Sequence, residues 1–189
     1  MGDVFRCFGN TPLYIEYHDK EWGRPEHNDC KLFELLILEG AQAGLSWATV
    51  LNKREAYREA FDGFDPAKIA LYGDAKIEEL MNNSGIIRNR LKINAAITNA
   101  KLTLKIIEEH GSFDRFIWSY VDYAPIVGHW ESFAGMPTTT PLSDKISKDL
   151  KKMGFKFVGS TIIYSFMQAA GIVNDHLKPC FVYGEMSEG

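Results

Sequence analysis

The stretch from Leu150 to Cys180, LKKMGFKFVGSTIIYSFMQAAGIVNDHLKPC, constrains this chain more than any other. It opens on a basic helix end, passes through Gly154-Phe155-Lys156-Phe157-Val158-Gly159, and enters an almost wholly apolar run from Thr161 to Ile172. Two glycines five residues apart, with apolar Val158 before the second, suit a tight turn between helices whose backbone N–H groups face outward. Glycine permits a positive φ and the close approach of another backbone. Exposed amides ahead of a helix, where the dipole is positive, favour a phosphate guest. The apolar run is too short to span a bilayer and reads as a core helix. The expectation is a helix-hairpin-helix that grips nucleic-acid backbone through Gly154, Lys156 and Gly159.

Such a surface has to be local. The 189 residues carry a formal net charge of −4 and a pI near 5.7, which argues against bulk electrostatic binding of DNA. Cysteine numbers three, an odd count that does not suit a disulfide framework and fits a reducing cytoplasm. Neither a signal-peptide pattern nor a long apolar window is present, so no membrane association is expected. Nothing in the sequence calls for an obligate dimer, and a monomer is expected.

Helix signals follow one another along the chain, and the fold class expected is all-α. Met1 to His27 lacks periodicity and reads mainly as loop with one helical turn. Asp29 is placed to cap a helix to about Gly40, and Gly40 to Leu45 to form a small-residue turn. Ser46 is placed to cap a helix through Phe61, and Asp65-Pro66 to start another. Asp74 to Asn82, a long helix to His110, and Ser112 to Val121 come next. Tyr123 to Pro141 reads as an extended connection. Ser143 is expected to cap a helix with Ile146, Leu150 and Met153 inward and Lys145, Lys148, Lys151 and Lys152 outward, ended by Gly154. No strand pairing is expected, and the tail after Tyr183 reads as frayed.

Three groups of side chains invite chemistry. Glu39 closes an apolar run, so its carboxylate either reaches solvent or is held inside for a purpose. Trp47, eight residues on, is placed to face it across the turn. Cys7 and His18 near one end of the chain, with His176 and Cys180 near the other, have the makings of a closed tetrahedral zinc site. Read alone, the pattern is weak, and the competing reading is of free buried thiols and surface histidines. Arg88, Arg90 and Lys92 form a basic cluster, read either as a solvated helix start or as a phosphate contact.

PLYIEYHDKEWG (12–23), LEGAQAGLSWATVLNKRE (38–55), SGIIRNRLKI (84–93) and LKKMGFKFVGSTIIYSFMQAAGIVNDH (150–176) resemble the Tag-type 3-methyladenine DNA glycosylases of the helix-hairpin-helix superfamily. The resemblance covers nearly the whole chain. It implies one glycosylase unit over 1–189 with two helical lobes, a helix-hairpin-helix lobe of about 30–165 and a zinc lobe of 1–29 plus about 166–183. It implies a structural zinc on Cys7, His18, His176 and Cys180, and Glu39 as the catalytic residue. The extruded base would lie among Trp47, Tyr17, Tyr14 and Trp22. Gln42, Gly44 and Leu45 would belong to the loop that enters the vacated gap. The implied reaction is hydrolysis of the N-glycosidic bond of 3-methyladenine in alkylated duplex DNA, releasing the free base without strand cleavage. The superfamily's catalytic aspartate has no match at the usual spacing. Asp175 falls closer to the hairpin and beside His176, so it is read either as a general base or as a support for that histidine. The rival reading is a non-enzymatic, zinc-stabilised module that binds DNA by its hairpin.

Overall fold

The apolar run that ends at Glu39 becomes the interior helix around which the molecule is built. A computed structural model describes residues 4–187. In chain order its helices are α1 (Pro12–Lys20), α2 (Asp29–Gln42), α3 (Trp47–Leu51), α4 (Arg54–Ala60), α5 (Pro66–Ile69) and α6 (Asp74–Asn82). They continue as α7 (Arg90–His110), α8 (Phe113–Trp118), α9 (Pro141–Met153), α10 (Ser160–Ala169) and α11 (Phe181–Ser187). The protein is mostly helical, as the sequence implied.

Every residue of α2 from Leu32 to Ala41 is buried, because two apolar cores meet on it. Leu32, Leu35 and Leu36 join Tyr17 of α1 and the inner faces of α8, α9 and α10. Phe33, Ile37, Leu38 and Ala41 join Val50, Tyr57, Phe61, Phe64, Ile69 and Leu80, closed by the apolar stripe of α7. Glu34 is the one charge on α2 inside this packing besides Glu39, and it is paired: Arg54 donates to it at 2.5 Å and Arg58 at 3.0 Å. Arg54, itself buried, also meets Glu21 at 2.7 Å. Buried charges survive when partnered in this way, and the network pins α4 to α2.

Several local starts differ from expectation. The first 27 residues hold a nine-residue helix, α1, begun by the Thr11 side chain and by Pro12 in its first turn. Its buried side chains are Tyr17 and His18, so no aliphatic stripe betrays it. Asn28, not Asp29, caps α2. The Asp29 carboxylate accepts the amides of Phe113 and Asp114 and so secures the start of α8. A single helix after Ser46 is in fact two, α3 and α4, interrupted at Asn52-Lys53. Thr140 caps α9, with Ser143 as the reciprocal partner of a capping box. Met153 is exposed rather than inward. A parallel pair of two-residue strands, β1 (Ile126–Val127) and β2 (Val173–Asn174), ties the long connection to the segment after α10. Strands this short have no period to read. The tail after Tyr183 continues as α11 through Ser187, and residues 188–189 lie outside the described chain.

The hairpin between α9 and α10 forms where the sequence placed it. Gly154 closes α9 at φ 104°, a conformation that costs a side-chain-bearing residue dearly. Gly159 stands at φ −61°, so the second left-handed residue is Phe157, at φ 55°. Phe155 and Val158 turn into the core while Lys156 stays at the surface.

Candidate active site and metal centre

Glu39 sits in the last turn of α2, only 5% exposed. Burial pushes its carboxyl up to about 8. Among the described residues no group hydrogen-bonds to that carboxyl. It opens on a groove of about 180 Å³ lined by Gln42, Ala43, Gly44 and Leu45 on one side and by Thr161, Ile162 and Ser165 of α10 on the other. The structure thus takes Glu39 inside, the second of the two readings open at the sequence level.

Aromatic rings gather beside it. The Tyr14 and Tyr17 rings, one helical turn apart on α1, are within 8° of parallel with centroids 6.5 Å apart. Tyr17 packs against Trp47, centroid to centroid 5.4 Å. Burial first, then the Glu39 charge, raises both tyrosine hydroxyls above their ordinary range. The Trp47 indole N–H is buried and has no acceptor among the described residues. Trp22 lies elsewhere: its ring meets His176 at 4.6 Å and Phe8 at 4.9 Å, and no ring contact joins it to Tyr14, Tyr17 or Trp47. Phe8, which packs 5.1 Å from Tyr14, is the residue that sequence reasoning passed over. It follows Cys7 in an aperiodic segment, and only that adjacency could have drawn attention to it.

The two ends of the chain meet next to these rings. Ligand atoms of Cys7, His18, His176 and Cys180 all lie within 4.8 Å of one another, and three of the four residues are buried. The Cys180 Sγ stands 3.4 Å from His18 Nε2 and 3.5 Å from His176 Nδ1, and the Cys7 Sγ 3.5 Å from His176 Nδ1. An ion bound tetrahedrally at ~2.3 Å to sulfur and ~2.0 Å to nitrogen requires sulfur and nitrogen roughly 3.5 Å apart, so the donor set fits one. The remaining ring atoms are held as such ligands need. His18 Nδ1 meets Asp19 at 2.7 Å, and Arg6 grips that carboxylate with bonds of 2.8 to 3.0 Å. His176 Nε2 meets the Trp22 carbonyl at 2.8 Å. The Leu177 amide donates to Cys7 Sγ at 3.1 Å. Burial pushes the Cys7 thiol up to about 12 and the His176 imidazole down to about 4. A bound cation is what would turn that thiol into a thiolate.

A sequence model of the methyladenine glycosylases matches residues 7–183. The chain belongs to the methyladenine glycosylase family. It is 53% identical to DNA-3-methyladenine glycosylase 1 of Escherichia coli K12 over 180 residues, 94% of this chain and 96% of that one. A crystal structure of 3-methyladenine DNA glycosylase I superposes with a TM-score of 0.89 at 54% identity, covering 94% of this chain and 98% of the other. The structure that describes 3-methyladenine recognition by the Staphylococcus aureus enzyme superposes with a TM-score of 0.91 at 41% identity, covering 95% and 97%.

In this member of the methyladenine glycosylase family, Asp175 is not a partner of His176. Its Oδ1 accepts from the Trp130 indole at 2.6 Å, and its Oδ2 accepts from Tyr164 at 2.5 Å and Gln168 at 2.8 Å. At 1% exposure it is a fully bonded internal carboxylate that ties α10 to the long connection. Of the basic cluster, Arg90 pairs with Glu78 at 2.7 Å and Lys92 turns inward, so only Arg88 faces solvent without a described partner. No described helix is long and apolar enough to cross a membrane.

Proposed function

We propose that this chain is a single glycosylase unit that excises 3-methyladenine from alkylated duplex DNA by hydrolysing the N-glycosidic bond, leaving an abasic site. The observation that supports this most is Glu39: a buried carboxyl with no hydrogen-bond partner among the described residues, opening on the groove and close enough to Tyr14 and Tyr17 to raise both hydroxyls, with Trp47 packed on Tyr17. Methylation at N3 makes adenine cationic. An electron-rich aromatic face binds such a base better than the neutral one. A carboxylate in an apolar wall adds charge pairing and selects among donor patterns. Glu39 keeps its proton at neutral pH before binding, and a cationic base favours the ionised form. Tyr14, Tyr17 and Trp47 line the base site in this reading, Phe8 flanks it, and Trp22 reaches it only through Phe8.

The base has to leave the stack to reach these rings, at a cost of a few kcal/mol that is least for a damaged base. The Gln42–Leu45 turn overhangs the groove, and Leu45 is exposed at its tip, suited to fill the gap. The hairpin holds the backbone. Its Gly154, Phe155 and Lys156 amides are bonded within the protein, while those of Phe157, Val158 and Gly159 donate to nothing among the described residues. They precede α10, where the dipole favours phosphate. The base departs neutral and needs little acid help, so Glu39 and the rings act by holding the cation and the extended nucleotide.

Zinc is the ion proposed for Cys7, His18, His176 and Cys180, with a structural role: it would join α1 to the chain's far end and leave no open coordination position. No step of the reaction passes through it.

Chromatography of bases released from methylating-agent-treated duplex tests the proposal. Release of 3-methyladenine without 7-methylguanine, and without strand nicking, is expected. No release from folded, zinc-replete protein would leave the non-enzymatic binding module in its place.

A further inference from the structure

Lys92 and Asn99 lie seven residues apart on α7, two helical turns, and each reaches a different loop of the proposed DNA-handling surface. The Lys92 ammonium donates to the carbonyls of Ala41 at 2.7 Å and Ala43 at 2.9 Å. Those are carbonyls at the end of α2, where helical partners run out and the dipole is negative, immediately before Gly44-Leu45. The Asn99 side chain accepts the Lys156 amide at 2.8 Å and donates to the Lys156 carbonyl at 2.9 Å. Both ends of one buried amide are therefore committed to one residue of the hairpin. That fixes the orientation of its peptides as well as their place, and with them left-handed Phe157 alongside.

The hairpin also packs closely on the last turns of α2, which lead into the Gln42–Leu45 turn: a Cβ built on Gly40 would stand 3.2 Å from the Phe157 Cβ. The Gln42–Leu45 turn and the Gly154–Gly159 hairpin are thus parts of one body, riveted through α7. The basic cluster around Lys92 has its explanation here. Its lysine carries backbone carbonyls, and desolvation lowers its pKa accordingly.

We propose that Lys92 and Asn99 are positioning residues that couple the hairpin's hold on the DNA backbone to entry of the Gln42–Leu45 turn, and so to base extrusion. The inference rests on the excision reading. Lys92 keeps the turn from yielding when it is pressed against the base stack, and Asn99 keeps the hairpin at a fixed distance from that turn.

The test uses a strand with one adenine, methylated and then annealed to a complement carrying either thymine or a mismatched cytosine opposite it. Lys92→Met keeps the apolar stem and loses both donors; Lys92→Arg keeps donors. On the thymine duplex, single-turnover release of 3-methyladenine by Lys92→Met should fall about 10- to 100-fold, the range expected when a reacting group is slightly misplaced. On the mismatch, where extrusion costs less, most of that loss should be recovered. Lys92→Arg should restore the rate, and affinity for free 3-methyladenine should not change. Asn99→Asp, which keeps the acceptor and loses the donor, should in addition weaken binding of undamaged duplex. Equal losses on both duplexes, a parallel loss of free-base affinity, or an unimpaired Lys92→Met would overturn the coupling. A wild type inactive on both duplexes would withdraw the excision reading, and the coupling with it.

Discussion

The indole of Trp47 packs 5.4 Å from the ring of Tyr17 with its N–H buried and without an acceptor among the described residues. An unbonded donor costs the folded protein about 1–3 kcal/mol unless a ligand supplies the acceptor. Trp47→Phe keeps an aromatic face and discards the donor. Calorimetry should show free 3-methyladenine binding roughly 10-fold more weakly, while denaturant midpoints hold steady or rise. Unchanged affinity would mean that the N–H does not meet the base.

Glu39 gives a stability signature with a definite sign. Its carboxyl keeps a proton up to about 8 when folded and releases it near 4.5 when unfolded. Between those values the folded state binds more protons than the unfolded state, so stability falls as pH rises through the window and levels off above it. Glu39→Gln lacks this penalty. Urea unfolding should find the variant and wild type matched below pH 4.5, with the variant ahead by roughly 5 kcal/mol above pH 8. Parallel curves for the two proteins would show that the carboxyl is not desolvated.

If Cys7, His18, His176 and Cys180 hold the proposed zinc, elemental analysis should find about one zinc per chain. Asp19 orients His18 through Nδ1 and is itself held by Arg6, so Asp19→Asn should weaken zinc affinity about 10- to 100-fold. Chelation should lower the melting temperature while base release per folded molecule persists. Purified protein that contains no metal would remove the centre from the account.

Asp175 accepts three hydrogen bonds and faces neither Glu39 nor His176. Asp175→Asn sets an amide donor either against the Trp130 indole or against the Tyr164 and Gln168 donors and removes the charge, a loss of about 2–3 kcal/mol for bonds to a charged group. Melting should register that loss, with base release per folded molecule near that of the wild type. Abolished release in a fully stable variant would return Asp175 to the chemistry.

Features that declare themselves through local backbone chemistry were legible in the sequence. Gly154 marked a helix end because a left-handed residue is needed there, and Asp65-Pro66 marked a helix start. Glu39 and the four Cys and His residues stood out in the sequence, yet spacing alone could not decide their environment. Glu39 is inside because two cores close on α2, and the histidines and cysteines meet because α1 exists, a helix whose buried face is Tyr17 and His18. Long-range partners left no local trace. The Glu34–Arg54 pair spans 20 residues and the hold of Asn99 on Lys156 spans 57, so neither has a spacing to read. Trp22 and Phe8 show the same limit: sequence named Trp22 but not that it packs on His176, and it passed over Phe8 against His18.

The most direct test compares wild type with Glu39→Gln for single-turnover release of 3-methyladenine and for affinity toward undamaged duplex, in one preparation of zinc-replete protein. The account predicts release slowed about 10²- to 10³-fold, as for loss of one preorganised electrostatic group, with duplex affinity unchanged. Undiminished release by the variant, or release and affinity falling together, would contradict it.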